Sequence, residues 1–120
     1  MWVHLTHQSR DQQEFTDVCL ECSTVCSEAA LELEQSEGRP GDARLATALR
    51  DCADLCDGVV RLINRGSARH LLMAEFCAEV CETCAEECDR PGRDGGMRAV
   101  ADACRRCADM CRALGRKPTA

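Results

Sequence analysis

Cysteines that recur three or four residues apart constrain this chain more than any other feature. They form four runs: Cys19, Cys22 and Cys26; Cys52 and Cys56; Cys77, Cys81, Cys84 and Cys88; and Cys104, Cys107 and Cys111. An α-helix turns once in about 3.6 residues, so steps of three and four return to the same face. Each run therefore predicts a stripe of sulfur along one side of a helix, and together the runs hold all 12 cysteines of the chain.

The flanking residues extend the same period. Ser9-Arg10-Asp11-Gln12 has the form of a capping box, and Phe15, the first cysteine run, Ala29 and Leu33 follow on one face, predicting a first helix over about 10–35. The stretch from Ser36 to Gly41, with Pro40, breaks it, and Asp42 is placed to cap a second helix over 43–64 whose face carries Leu45, Leu49, Cys52, Cys56, Val59 and Ile63. Ser67 is placed to cap a third over 67–88, with Ala74 and four cysteines inward, and Leu72, Phe76 and Val80, beside that stripe, either close the core, the favoured reading, or contact a neighbour. Met97, Val100, the last cysteine run and Leu114 mark a fourth over 97–114. Four helices on short loops in a chain of 120 residues predict one all-α domain over 1–120, an antiparallel up-down four-helix bundle with a cysteine-lined core.

Antiparallel pairing sets the levels of the stripes against one another. It places Cys22 near Cys56, Cys26 near Cys52, Cys52 near Cys81, Cys77 near Cys107, and Cys81 near Cys104. Cys84 and Cys88 extend the column toward the end that holds the first and third loops. At the other end Phe15, Leu62, Ile63, Leu71, Leu72 and Leu114 are expected to form an apolar plug.

The formal net charge is -6, with both signs interleaved along every segment, a pattern that argues against a nucleic-acid partner. Carboxylates such as Glu21, Glu28, Glu79, Glu82 and Asp109 fall between the sulfur positions, on the outer face. Residues 1–10 lack the apolar run of a signal peptide, and no segment approaches the roughly 18 apolar residues of a membrane span. The expectation is a cytoplasmic protein without a membrane partner, whose cysteines serve as free thiols or metal ligands.

Packing alone explains one or two buried cysteines, not a column of them. Exchanging leucines for thiols forfeits about 0.8 kcal/mol for each buried CH₂ lost, so such a core needs something to fill it. Bound metal supplies that cohesion, because binding to the folded site becomes folding free energy. Zinc knuckles place Cys-x2-Cys on tight turns, which these helical segments lack. The spacing Cys77-x3-Cys81-x2-Cys84-x3-Cys88 matches no ferredoxin pattern, although an iron-sulfur or other thiolate-metal redox centre held between helices stays open. Cu(I) is soft, accepts two or three thiolates and needs no closed loop, and a full column would hold on the order of ten ions. A structural bundle stapled by disulfides between Cys52/Cys56 and Cys77/Cys81 is the other alternative. No cysteine is grouped by sequence with a histidine and an orienting residue, so the reading is not enzymatic.

Cys19-x2-Cys22-x3-Cys26, Asp51-Cys52-Ala53-Asp54-Leu55-Cys56, Cys77-Ala78-Glu79-Val80-Cys81-x2-Cys84-Ala85-Glu86-Glu87-Cys88 and Ala103-Cys104-x2-Cys107-Ala108-Asp109-x-Cys111-Arg112 resemble the cytosolic copper storage proteins over about residues 12–114. The resemblance implies sequestration of multiple Cu(I) ions by thiolates in the core of a Cys-rich four-helix bundle, with assembly into tetramers. It makes copper ions, a copper chaperone and further copies of the chain the candidate partners. Gln12, Phe15, Leu45, Met97 and Val100 stand where members of that family often carry further cysteines, and the histidines common after the third helix are replaced by Asp89, Pro91 and Asp94. Capacity is expected to be reduced accordingly. Met97, the pair His70 and Met73, and the terminal His4 and His7 are weaker candidates for metal capture on the way in.

Overall fold

The computed structural model describes residues 10–36 and 38–116. Four helices follow in order: α1 Arg10–Gln35, α2 Asp42–Asn64, α3 His70–Cys88 and α4 Met97–Arg116. α1 packs on α2, α2 on α3, α3 on α4, and α4 closes the ring on α1. Contacts across each seam run in opposite chain directions, as with Gln12 reaching the carbonyl of Ile63 at 3.3 Å. The expected all-α up-down bundle is the fold, and among the described residues no helix is long and apolar enough to cross a membrane.

α2 ends as the sequence suggests: Gly66 takes φ 72, the left-handed conformation glycine adopts without Cβ strain. Its N–H and that of Ser67 then satisfy the carbonyls of Ile63 and Leu62. α3 begins at His70, three residues after the expected cap, because the Ser67 hydroxyl accepts from the Arg69 N–H and closes a separate turn first. Asp42 is the first residue of α2 and caps backward, accepting from the Arg39 N–H at 3.0 Å. Ser9 of the expected capping box lies outside the described residues.

Each of the four seams carries a cross-helix ion pair. Glu34 meets Arg50 (α1–α2), Arg44 meets Glu87 (α2–α3), Asp89 meets Arg105 (α3–α4) and Glu21 meets Arg106 (α4–α1). The Glu34, Asp89 and Glu21 pairs are solvent-exposed and fix register more than they stabilise, whereas the Glu87 side chain of the α2–α3 pair is only 7% exposed. The interior is built from small side chains, alanine and cysteine, interrupted by larger ones at its two ends. Phe15 and Val59 close one end, supported by Ile63 and Leu114, and Leu45, Leu49, Met97 and Val100 close the other.

The second closure was not expected, and the first is smaller than expected. Leu72 is 71% exposed and Phe76 53% exposed, so neither belongs to the plug or the core, and only Val80 of that trio packs against it. α3 is apolar on two sides, and the four-cysteine stripe takes the inner one.

Candidate metal site

The period that makes each helix also aims its sulfur. Cys19, Cys22 and Cys26 project from α1, Cys52 and Cys56 from α2, Cys77, Cys81, Cys84 and Cys88 from α3, and Cys104, Cys107 and Cys111 from α4. All twelve are buried free thiols, none more than 2% exposed.

Their Sγ atoms form a connected column. Cys26 lies 3.6 Å from Cys104, which is 3.9 Å from both Cys22 and Cys52. Cys52 is 3.7 Å from Cys22 and 3.5 Å from Cys81, and Cys81 is 3.8 Å from Cys56. Cys56 continues to Cys77 at 3.9 Å and Cys107 at 3.5 Å, and Cys107 to Cys19 at 3.5 Å.

Four groups have all their sulfurs within 4.8 Å of one another: Cys22/Cys26/Cys52/Cys104, Cys22/Cys52/Cys56/Cys81, Cys56/Cys77/Cys81/Cys107 and Cys19/Cys107/Cys111. The expected proximities of Cys22 to Cys56, Cys26 to Cys52, Cys52 to Cys81 and Cys77 to Cys107 all fall within these groups. Cys81 and Cys104 are joined through Cys52, which touches both.

Cys84 and Cys88 belong to none of the four groups. The register explains it. The pairing of Cys52 with Cys81 puts Cys84 level with Leu49 and Cys88 level with Leu45, so α2 supplies a hydrocarbon where a fourth sulfur would be needed. Leu49 is the residue that the sequence reading treated as ordinary helix face and that sets the upper limit of the sulfur groups.

Crowding of thiols in a dry core splits their acidities. Cys104 beside Cys26, helped by burial, pushes that thiol far above the ordinary range, and Cys107 does the same to Cys56 and Cys81. Cys22 and Cys77 move the opposite way, lowered chiefly through the neighbouring thiols of Cys104 and Cys107 respectively. Cys84 is lowered to about 6, first through Cys104 and then Cys26. A thiolate that accepts from its neighbours is stabilised while each donor holds its proton more tightly. A soft cation placed among these sulfurs would replace those shared protons.

His70 is half-buried with Nδ1 2.7 Å from the Ser67 carbonyl, so Nδ1 donates there. Met97 is 8% exposed and packs in the apolar end with Val100 and Leu45, and Met73 is partly buried against the core. His4 and His7 lie outside the described residues. Gln12 ties α1 to the end of α2 through Ile63 and Asn64. One charged group at the sulfur flank escaped the sequence reading. Glu87 is only 5% exposed, and its carboxylate is held by the Nε of Arg44 at 2.8 Å and of Arg90 at 2.7 Å. Nothing in the period separates it from its exposed neighbour Glu86.

Comparison with known proteins gives this architecture its family. A curated relative, an uncharacterized cysteine-rich protein YhjQ of Bacillus subtilis strain 168, is 31% identical over 81 residues, 65% of this chain and 72% of that protein. A solved Cu(I)-bound copper storage protein, BsCsp3, superimposes with a TM-score of 0.81 at 24% identity, covering 88% of this chain and 99% of its own. A protein from Nitrosospira multiformis does so with a TM-score of 0.79 at 25% identity, over 90% of this chain and 97% of its own. The family model described as copper storage protein matches residues 8–116, nearly the whole chain, and the chain belongs to that family.

Proposed function

We propose that this protein binds several Cu(I) ions through the thiolates of Cys19, Cys22, Cys26, Cys52, Cys56, Cys77, Cys81, Cys84, Cys88, Cys104, Cys107 and Cys111, and stores or buffers them in the cytoplasm without catalysing a reaction. The observation that carries the reading is the chain of shared sulfurs. Cys22 and Cys52 serve two groups, Cys56 and Cys81 two, and Cys107 two, so ions accommodated by neighbouring groups would share ligands. Cu(I), content with two or three thiolates, suits shared sulfurs better than a metal that needs four of its own.

Each ion displaces thiol protons as its Cu–S bonds form, so negative charge does not accumulate in the core. The separations of 3.5–3.9 Å between sulfurs suit bridging by a metal and exceed the roughly 2.05 Å of a disulfide. Copies of the chain and a copper chaperone remain its candidate partners.

Titration of the reduced protein with Cu(I) against a strong chromogenic chelator tests the proposal. Uptake of many ions, on the order of ten, is expected. Saturation by a single ion, or iron in the anaerobically isolated protein, overturns it.

A further inference from the structure

We infer that the column accepts a second kind of cargo, two divalent cations of the zinc class, one in each of two four-sulfur groups that share no cysteine. The inference goes beyond the copper reading and does not rest on it, since it uses only the positions of the thiols.

Three of the sulfur groups have four members, and they overlap unevenly. The middle one, Cys22/Cys52/Cys56/Cys81, shares Cys22 and Cys52 with one outer group and Cys56 and Cys81 with the other. The outer groups, Cys22/Cys26/Cys52/Cys104 and Cys56/Cys77/Cys81/Cys107, have no member in common. A metal that requires four sulfurs of its own therefore finds room for two ions and no third. The three-sulfur group Cys19/Cys107/Cys111 loses Cys107 once the second tetrad is filled.

The spacing within each tetrad selects the metal. Zn(II) bonds to thiolate at about 2.3 Å and is almost always tetrahedral, which sets its four sulfurs about 3.8 Å apart. In the first tetrad Cys22 lies 3.7 Å from Cys52 and 3.9 Å from Cys104, and Cys104 lies 3.6 Å from Cys26 and 3.9 Å from Cys52. In the second, Cys56 lies 3.9 Å from Cys77, 3.8 Å from Cys81 and 3.5 Å from Cys107, and Cys77 lies 3.9 Å from Cys81. The remaining edges are within 4.8 Å, so the thiols are already close to the shape the ion needs. Each tetrad takes an i,i+4 pair from one helix, Cys22 and Cys26 of α1 or Cys77 and Cys81 of α3, and one sulfur each from α2 and α4. Hard cations, which take oxygen ligands, find only sulfur here.

Binding is a proton exchange without redox change. The four thiols of a tetrad release four protons as four metal–sulfur bonds form, and the centre keeps two negative charges. Cys19 stays a thiol 3.5 Å from Cys107, placed to donate its S–H to the metal-bound sulfur.

Titration of the reduced, metal-free full chain with Co(II) tests the inference, read by the thiolate-to-cobalt and d–d absorption of a tetrahedral tetrathiolate. Zn(II), which stands above Co(II) in affinity for such a site, is expected to bleach it. The wild-type chain is expected to hold two tetrathiolate ions, and Cys26→Ala, which breaks the first tetrad, only one. Overlap supplies the decisive pair of variants. Cys26→Ala/Cys77→Ala breaks both outer tetrads but spares the middle one, so one tetrathiolate ion is expected. Cys26→Ala/Cys56→Ala breaks all three, and none is expected. Circular dichroism reports folding of each variant, and the wild-type count decides where a variant does not fold. A wild-type count other than two, or equal counts in two folded double variants, overturns the inference. Two Co(II) ions together with saturation by a single Cu(I) ion would keep it and overturn storage, whereas many Cu(I) ions and no tetrathiolate Co(II) would do the reverse.

Discussion

Cys56 on α2 and Cys107 on α4 bring their Sγ atoms to 3.5 Å, although their helices occupy opposite corners of the ring. Cys52 and Cys104 repeat the diagonal at 3.9 Å. Longer side chains at these levels would fill the axis and keep diagonal partners apart. Short thiols let all four helices meet there, and this turns two helical hairpins into one sulfur system.

Sharing of sulfurs makes their removal unequal. Cys81 belongs to two groups of four and Cys88 to none, so Cys81→Ala is expected to lose more copper than Cys88→Ala. Native mass spectrometry of the loaded variants checks the order, and equal losses would contradict it.

Copper bound as proposed should stabilise the bundle, because it would fill a column whose thiols are crowded without it. At a free Cu(I) level of 100 times the dissociation constant, linkage gives about 2.7 kcal/mol per independent site. Thermal melts before and after loading are expected to show a higher midpoint for the loaded protein, reversed by a strong chelator.

Alkaline pH should weaken the metal-free protein. The folded-state values of Cys26, Cys56 and Cys81 are raised above the ordinary 9.0, so above that pH the unfolded chain loses protons that the folded one keeps. Fewer protons on the unfolded state means stability that is present below 9.0 and falls as pH rises beyond it. Urea denaturation of the reduced metal-free protein from pH 8 upward measures this, and a flat profile would count against it. Acid acts on the loaded form instead: protons compete for the thiolates, so apparent Cu(I) affinity is expected to decline as pH falls.

The apolar ends should matter for folding and little for copper. Leu49 is fully buried and Phe15 is 2% exposed. Leu49→Ala is expected to cost about 2–5 kcal/mol and Phe15→Ala about 3–5 kcal/mol in metal-free stability, with copper content kept wherever the variant folds. Leu72→Glu and Phe76→Glu, on the exposed side of α3, should each change stability by no more than about 0.5 kcal/mol. Chemical denaturation separates the two pairs.

Much of the architecture was legible in the sequence because spacing along a helix is local geometry. Steps of three and four made four stripes, short loops made them antiparallel, and the levels of Cys22 with Cys56 and Cys77 with Cys107 followed by counting. That reading needed only the helical repeat and the loop positions.

Three features waited for the tertiary structure. Periodicity identifies a helix face but not which of two apolar faces turns inward, so the exposure of Leu72 and Phe76 was settled only when α3 turned its sulfurs to the core. Helix starts depend on which turn claims the polar side chains, and Ser67 spent its hydroxyl on Arg69 before α3 began. The reach of the column depends on what all four helices supply at one level. The sequence by itself determined that the cysteines form inward stripes, whereas the tertiary structure decided which of them meet, because Leu45 and Leu49 occupy the levels of Cys88 and Cys84 and only three-dimensional register brings those residues together.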